Sequence, residues 1–121
     1  MKILVVEDEA IVALDLRNML RRMGFQVPLI ALTGEEALAF AAQIRPALIF
    51  MDIGLNGPVD GIEVAEQIRA RFAIPIVFVT AYSDAKTRQR AEMTAPAAYL
   101  SKPFTVAEIS SALETALGVR V

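Results

Sequence analysis

The 121-residue chain contains no cysteine, no histidine and no tryptophan. Without cysteine there is no disulfide, no thiolate nucleophile and no cysteine-ligated zinc. Without histidine the commonest acid–base group and metal ligand is missing, so any chemistry falls to carboxylates, hydroxyls and amines. An excess of one charge is also lacking: 12 Lys and Arg against 14 Asp and Glu leave a net charge of -2. Such a chain has no field for collecting nucleic acid or an anionic membrane. Long apolar runs are absent as well. The stretch after Met1-Lys2 ends at Val6, short of the roughly 7–15 apolar residues of a secretory signal, and no segment approaches the roughly 20 of a membrane span. A cytoplasmic protein, with no direct nucleic acid binding and no membrane contact, is expected. Aromatics make up 7% and hydrophobic residues 55%, which suits an aliphatic core of helices packed on sheet. The length suits a single domain, expected to occupy 1–121 without an output domain.

What is present alternates. Short continuous apolar runs occur at 3–6, 47–51 and 74–79, with weaker ones at 27–31 and 97–100. Unbroken runs of this kind mark strands buried on both faces. Between them lie stripes stepping by three or four: Val12, Leu16, Met19, Leu20 and Met23; Ile62, Ala65, Ile68 and Phe72; Val106, Ile109, Leu113 and Leu117. Gly24 and Gly118 stand where helices end. In T-G-E-E-A-L-A-F-A-A-Q-I, Thr33 is placed to cap a further helix and Glu36 to complete a capping box. Five β-α units with short connections predict a doubly wound α/β fold, a parallel sheet covered by helices on both faces. One helix differs. Segment 84–94 offers only Ala85, Ala91 and Met93 as apolar residues, so it is expected to be weakly anchored and easily displaced by a nearby change of charge.

Polar residues terminate the apolar runs. Glu7 and Asp8 follow the first, Asp52 the third and Thr80 the fourth, and Lys102 comes just after the fifth. All fall at carboxyl ends of parallel strands, the edge where open α/β sheets bind ligands. If the first, third, fourth and fifth strands are neighbours about 4.8 Å apart, Glu7, Asp8, Asp52 and Thr80 crowd one pocket. Lys102 then stands about 10 Å from Asp52, a gap that a lysine stem largely covers. Acids from two strands can share a hard cation such as Mg²⁺. Taken singly, each residue has an ordinary reading. Asp8 can cap a helix whose dipole favours Glu7 and Glu9, Thr80 can be a turn hydroxyl, Lys102 a solvated charge and Tyr99 a core residue. Asp52, between Met51 and Ile53, is costly to bury unpaired.

In this order and spacing, V-V-E-D-E, M-D-I-G-L, V-T-A-Y and Y-L-S-K-P-F resemble the receiver domain of two-component response regulators over nearly the whole chain. The resemblance implies a flavodoxin-like, five-stranded sheet of order 2-1-3-4-5 and a phosphorylation-activated signalling switch. Asp52 would be the phosphoacceptor and Glu7, Asp8, Asp52 and the Gly54 carbonyl would hold Mg²⁺. Thr80 and Lys102 would bind phosphoryl oxygens, Thr80 and Tyr99 would relay the switch to the α4-β5-α5 surface, and the Lys102–Pro103 peptide would be cis, directing the lysine to the pocket. Gly54 and Tyr82 would tune phosphoryl lifetime. The domain would assist its own phosphorylation and dephosphorylation without being an enzyme in the ordinary sense. Implied partners are a sensor histidine kinase or histidine phosphotransfer protein, since the chain has no histidine of its own, and an effector protein or fused output domain.

The sequence departs from the family pattern at Glu7, where Asp is commoner, and in the loop I-G-L-N-G-P-V before Asp60-Gly61, one residue longer than usual with Pro58 displaced. Two other readings remain: a receiver-like adaptor that is never phosphorylated, and an aspartate-nucleophile phosphohydrolase. The second usually carries D-x-D after its first strand, where this chain has E-D. A nucleotide carrier would need a glycine-rich phosphate loop that is missing.

Overall fold

The computed structural model describes residues 1–81 and 84–118. Three of its strands, β1 (Ile3–Val6), β3 (Leu48–Asp52) and β4 (Ile76–Thr80), are buried along their whole length. The others, β2 (Ile30–Ala31) and β5 (Ala98–Ser101), form the edges of one parallel sheet of order β2-β1-β3-β4-β5, the order that the resemblance implies. Five helices alternate with them: α1 (Ala10–Arg22), α2 (Gly34–Ile44), α3 (Gly61–Arg71), α4 (Ala85–Met93) and α5 (Val106–Leu117).

Successive strand side chains point to opposite faces, and the sheet therefore builds two cores. Ile3, Val5, Leu48, Phe50, Val77 and Val79 pack with Leu16 and Leu20 of α1 and Ile109 and Leu113 of α5. Leu4, Val6, Ile49, Met51, Ile76 and Phe78 pack with Ala37 and Ala41 of α2, with Ile62 and Ile68 of α3, and with Ala91 of α4. This is why the strands read as unbroken apolar runs: both faces are covered. Among the described residues no helix is long and apolar enough to cross a membrane.

Local expectations differ from the structure in four places. The predicted strand at 27–31 pairs as a strand only at Ile30–Ala31, because Pro28 has no amide to donate to a ladder; Val27 is buried nonetheless. Val106, placed on the α5 stripe, is 54% exposed; it opens the helix, one turn ahead of Ile109 where the buried face begins. Thr33 caps α2 by accepting from the Glu36 amide at 3.1 Å, but the Glu36 carboxylate accepts from Leu32, one residue before the cap, at 2.9 Å. The reciprocal capping box instead stands at α5, between Thr105 and Glu108. Finally, Asp8 is not a cap: Glu9 holds the N-cap position of α1 and makes no side-chain cap bond.

The weak anchoring expected of the fourth helix is present. Ala91 is the single buried residue of α4, and Met93 is 86% exposed.

Candidate functional site

Strand register gathers the polar strand ends. Val6 of β1 lies opposite Met51 of β3, so Glu7, the next residue, leaves the sheet beside Asp52. Asp52 lies opposite Val79 of β4, and Thr80 opposite Ser101 of β5. Lys102 follows directly, its amide donating to the Thr80 carbonyl at 2.8 Å.

The side chains converge at that edge. The Lys102 ammonium donates to Glu7 Oε1 at 2.6 Å and lies 3.6 Å from Asp52 Oδ1 and 3.7 Å from Glu9 Oε1. Glu7 and Asp52 are buried, at 3% and 4% exposure, and Thr80 is fully buried. Buried carboxylates are tolerated only when paired or hydrogen-bonded, and each is held. Glu7 Oε2 accepts from the Glu9 amide at 3.1 Å, and Asp52 Oδ1 from the Gly54 amide at 3.0 Å. Asp8, half-buried, accepts from the Asn56 amide at 3.0 Å.

Glu7, Asp8 and Asp52 each present a carboxylate oxygen, and these oxygens lie within 4.8 Å of one another. Three like charges in so small a volume repel, and burial adds to the cost. Desolvation first, and the neighbouring Asp52 second, overcome the Lys102 hydrogen bond and push Glu7 up to about 7. Burial works against the charge on Lys102, yet the carboxylates of Glu7, Asp52 and Glu9 outweigh it and raise its pKa. An all-oxygen, anionic donor set of this kind suits a hard cation that takes few carboxylates and keeps its waters.

Glycine is required beside the site. A Cβ at Gly61 would lie 2.0 Å from the Asp52 carbonyl oxygen, so only the bare backbone lets α3 start against the end of β3. Gly57, at φ 119°, makes the turn in the preceding loop.

The structure thus brings together Glu7, Asp8, Asp52 and Lys102, with Thr80 at the adjacent strand end. It places the Gly54 amide on Asp52. The Lys102–Pro103 peptide is cis. Tyr99 is half-buried on the α4 side of the sheet, its ring 4.3 Å below the Arg88 guanidinium. Tyr82 lies outside the described residues. Sequence reasoning did not find Asn56, whose contact with Asp8 is made by a backbone amide and so leaves no mark on residue type. It also overlooked Asp60 and Arg90, which pair at 3.0 Å between α3 and α4.

Among known proteins, the family model of the response regulator receiver domain matches residues 3–114. The transcriptional regulatory protein PdtaR of Mycobacterium tuberculosis is 36% identical over 96% of this chain and 56% of its own length. The phyllosphere-induced regulator PhyR of Methylorubrum extorquens is 35% identical over 96% of this chain and 43% of its own. The chain therefore spans about half the length of these relatives. Among solved structures, the signal receiver domain of a modulated diguanylate cyclase from Desulfovibrio desulfuricans superimposes with a TM-score of 0.90 at 36% identity, covering 97% of this chain and 93% of that one. The beryllofluoride-activated receiver domain of Klebsiella pneumoniae RstA gives 0.89 at 25% identity, covering 97% and 98%.

Proposed function

The chain belongs to the response regulator receiver domain family, and from that premise we propose that it is a phosphorylation-activated switch with Asp52 as phosphoacceptor. A partner histidine kinase or histidine phosphotransfer protein would supply the phosphoryl group, in the cytoplasm. The Asp52 carboxylate would attack phosphorus as the phosphorus–nitrogen bond of the donor breaks, giving an aspartyl phosphate.

The observation that carries this reading is the grouping of two further carboxylates, Glu7 and Asp8, and one ammonium, Lys102, around Asp52. Phosphoryl transfer asks a protein mainly to position groups and to neutralise charge on the equatorial oxygens. Glu7, Asp8 and Asp52, with the Gly54 carbonyl, would hold Mg²⁺, which when bound supplies that neutralisation. Lys102 would leave Glu7 for the incoming phosphoryl oxygens, and the Thr80 hydroxyl would take another. Tyr99 would follow Thr80 and change the surface formed by α4, β5 and α5. The same groups would assist loss of the phosphoryl group to water. The names of the relatives and the diguanylate cyclase context of the Desulfovibrio domain support an effector protein or a fused output domain as the recipient of the signal.

The test is acetyl phosphate with Mg²⁺ followed by intact-mass analysis. The wild-type chain is expected to gain one phosphoryl group that hydroxylamine removes, as it does from an acyl phosphate, and Asp52→Asn none. Equal labelling of the variant would remove the proposal.

A further inference from the structure

We infer that Arg88 and Arg90 are positioning residues: two clasps that hold α4 at rest and so set how readily the Asp52 site switches. The inference rests on the phosphorylation reading above and adds to it the restraint that phosphorylation must overcome.

Burial gives α4 little hold. Ala91 is its one buried residue, so polar contacts must do most of the placing. Two of them flank Ala91 and pull to opposite sides. The guanidinium of Arg88 caps the Tyr99 ring at 4.3 Å, tying the helix to β5. Arg90 Nη2 lies 3.0 Å from Asp60 Oδ2, tying it to α3. Asp60 is a stiff anchor, because its other oxygen caps α3 by accepting from the Glu63 amide at 3.0 Å. The next residue, Gly61, donates its amide to Ile53 at 3.0 Å and packs on the backbone of Asp52. One clasp therefore ends on the segment beside the phosphoacceptor and the other on the switch tyrosine.

The Arg88 contact needs Tyr99 where it stands, half-buried beneath the guanidinium. Any turn of that ring toward the sheet removes the platform of Arg88, and any shift of α4 opens the Arg90 pair. Each clasp favours the resting arrangement only, and a contact made in one state alone biases the equilibrium between states.

The experiment titrates wild type, Arg88→Ala, Arg90→Ala and Glu92→Ala with beryllofluoride and Mg²⁺, and measures hydrogen exchange of the α4 amides without either. Glu92→Ala removes the exposed pair with Arg88 at 3.3 Å and leaves both clasps in place. Alanine is the better helix former, so faster exchange cannot come from weaker helix propensity. Arg88→Ala and Arg90→Ala are each expected to bind the mimic about two- to fivefold more tightly than wild type, the factor that an exposed ring or ion-pair contact can supply. Their α4 amides are expected to exchange faster than those of Glu92→Ala. Unchanged affinity with a responding wild type, or exchange equal to that of Glu92→Ala, would overturn the clasps. A wild type that ignores the mimic would instead overturn the phosphorylation reading, and the exchange measurement would still decide whether the arginines hold the helix.

Discussion

Glu7 carries the sharpest consequence at the scale of a single residue. Folded, it keeps its proton up to about pH 7, whereas its ordinary value is 4.5. Between those values the native state binds more protons than the unfolded chain, so this residue makes stability fall as pH rises. In the absence of divalent cations, the urea midpoint of Glu7→Gln is expected to gain on that of wild type from pH 5 to pH 7. A difference that stays constant with pH would contradict the assignment. Gly61 gives a second prediction. Alanine there drives a Cβ to 2.0 Å from the Asp52 carbonyl, a backbone clash that rotamer changes cannot relieve. Gly61→Ala is expected to cost of order 3 kcal/mol or more in chemical denaturation. Gly34→Ala meets a γ-methyl of the buried Val64 at 2.7 Å, a side-chain contact rather than a backbone one, and is expected to cost less.

At the scale of elements, capping and burial separate the helices. Thr105 and Glu108 close a full capping box on α5, so Thr105→Ala is expected to cost about 1 kcal/mol, read from thermal or urea unfolding. In α4, by contrast, the Asp84 side chain accepts from both the amide and the hydroxyl of Thr87 at 2.8 and 2.9 Å; these bonds, the amide first, hold its pKa below the usual carboxylate value. That cap secures the start of α4 without adding buried area. The helix was legible in the sequence as the least apolar of the five, and the reason carries over directly: few apolar residues leave little surface to bury. The capping box was less legible. Thr33 and Glu36 carry the pattern as clearly as Thr105 and Glu108 do, yet at α2 the glutamate reaches past the cap to Leu32, a choice made by the path of the chain after β2.

The whole molecule is where the site exists. Mg²⁺ that binds the native cluster and not the unfolded chain must stabilise the fold, by about 2.7 kcal/mol at a hundred times its dissociation constant. Adding Mg²⁺ is expected to raise the melting temperature of wild type, and to do so less for Asp8→Asn and for Asp52→Asn; an equal rise in all three would show that the ion acts elsewhere. By itself the sequence determined the elements and their chemistry. Unbroken apolar runs required strands covered on both faces, stripes stepping by three and four required helices between them, and Glu7, Asp8, Asp52, Thr80 and Lys102 were all legible as residues at strand ends. Only the tertiary structure decided who meets whom. That Lys102 rests on Glu7 at 2.6 Å, that Asp8 takes the Asn56 amide and caps nothing, and that Arg88 and Arg90 fasten α4 to β5 and α3 follow from strand order, register and loop path. Those join residues far apart in the chain, and local periodicity, which reports only which face a side chain occupies, carries no information about the neighbour it will find there.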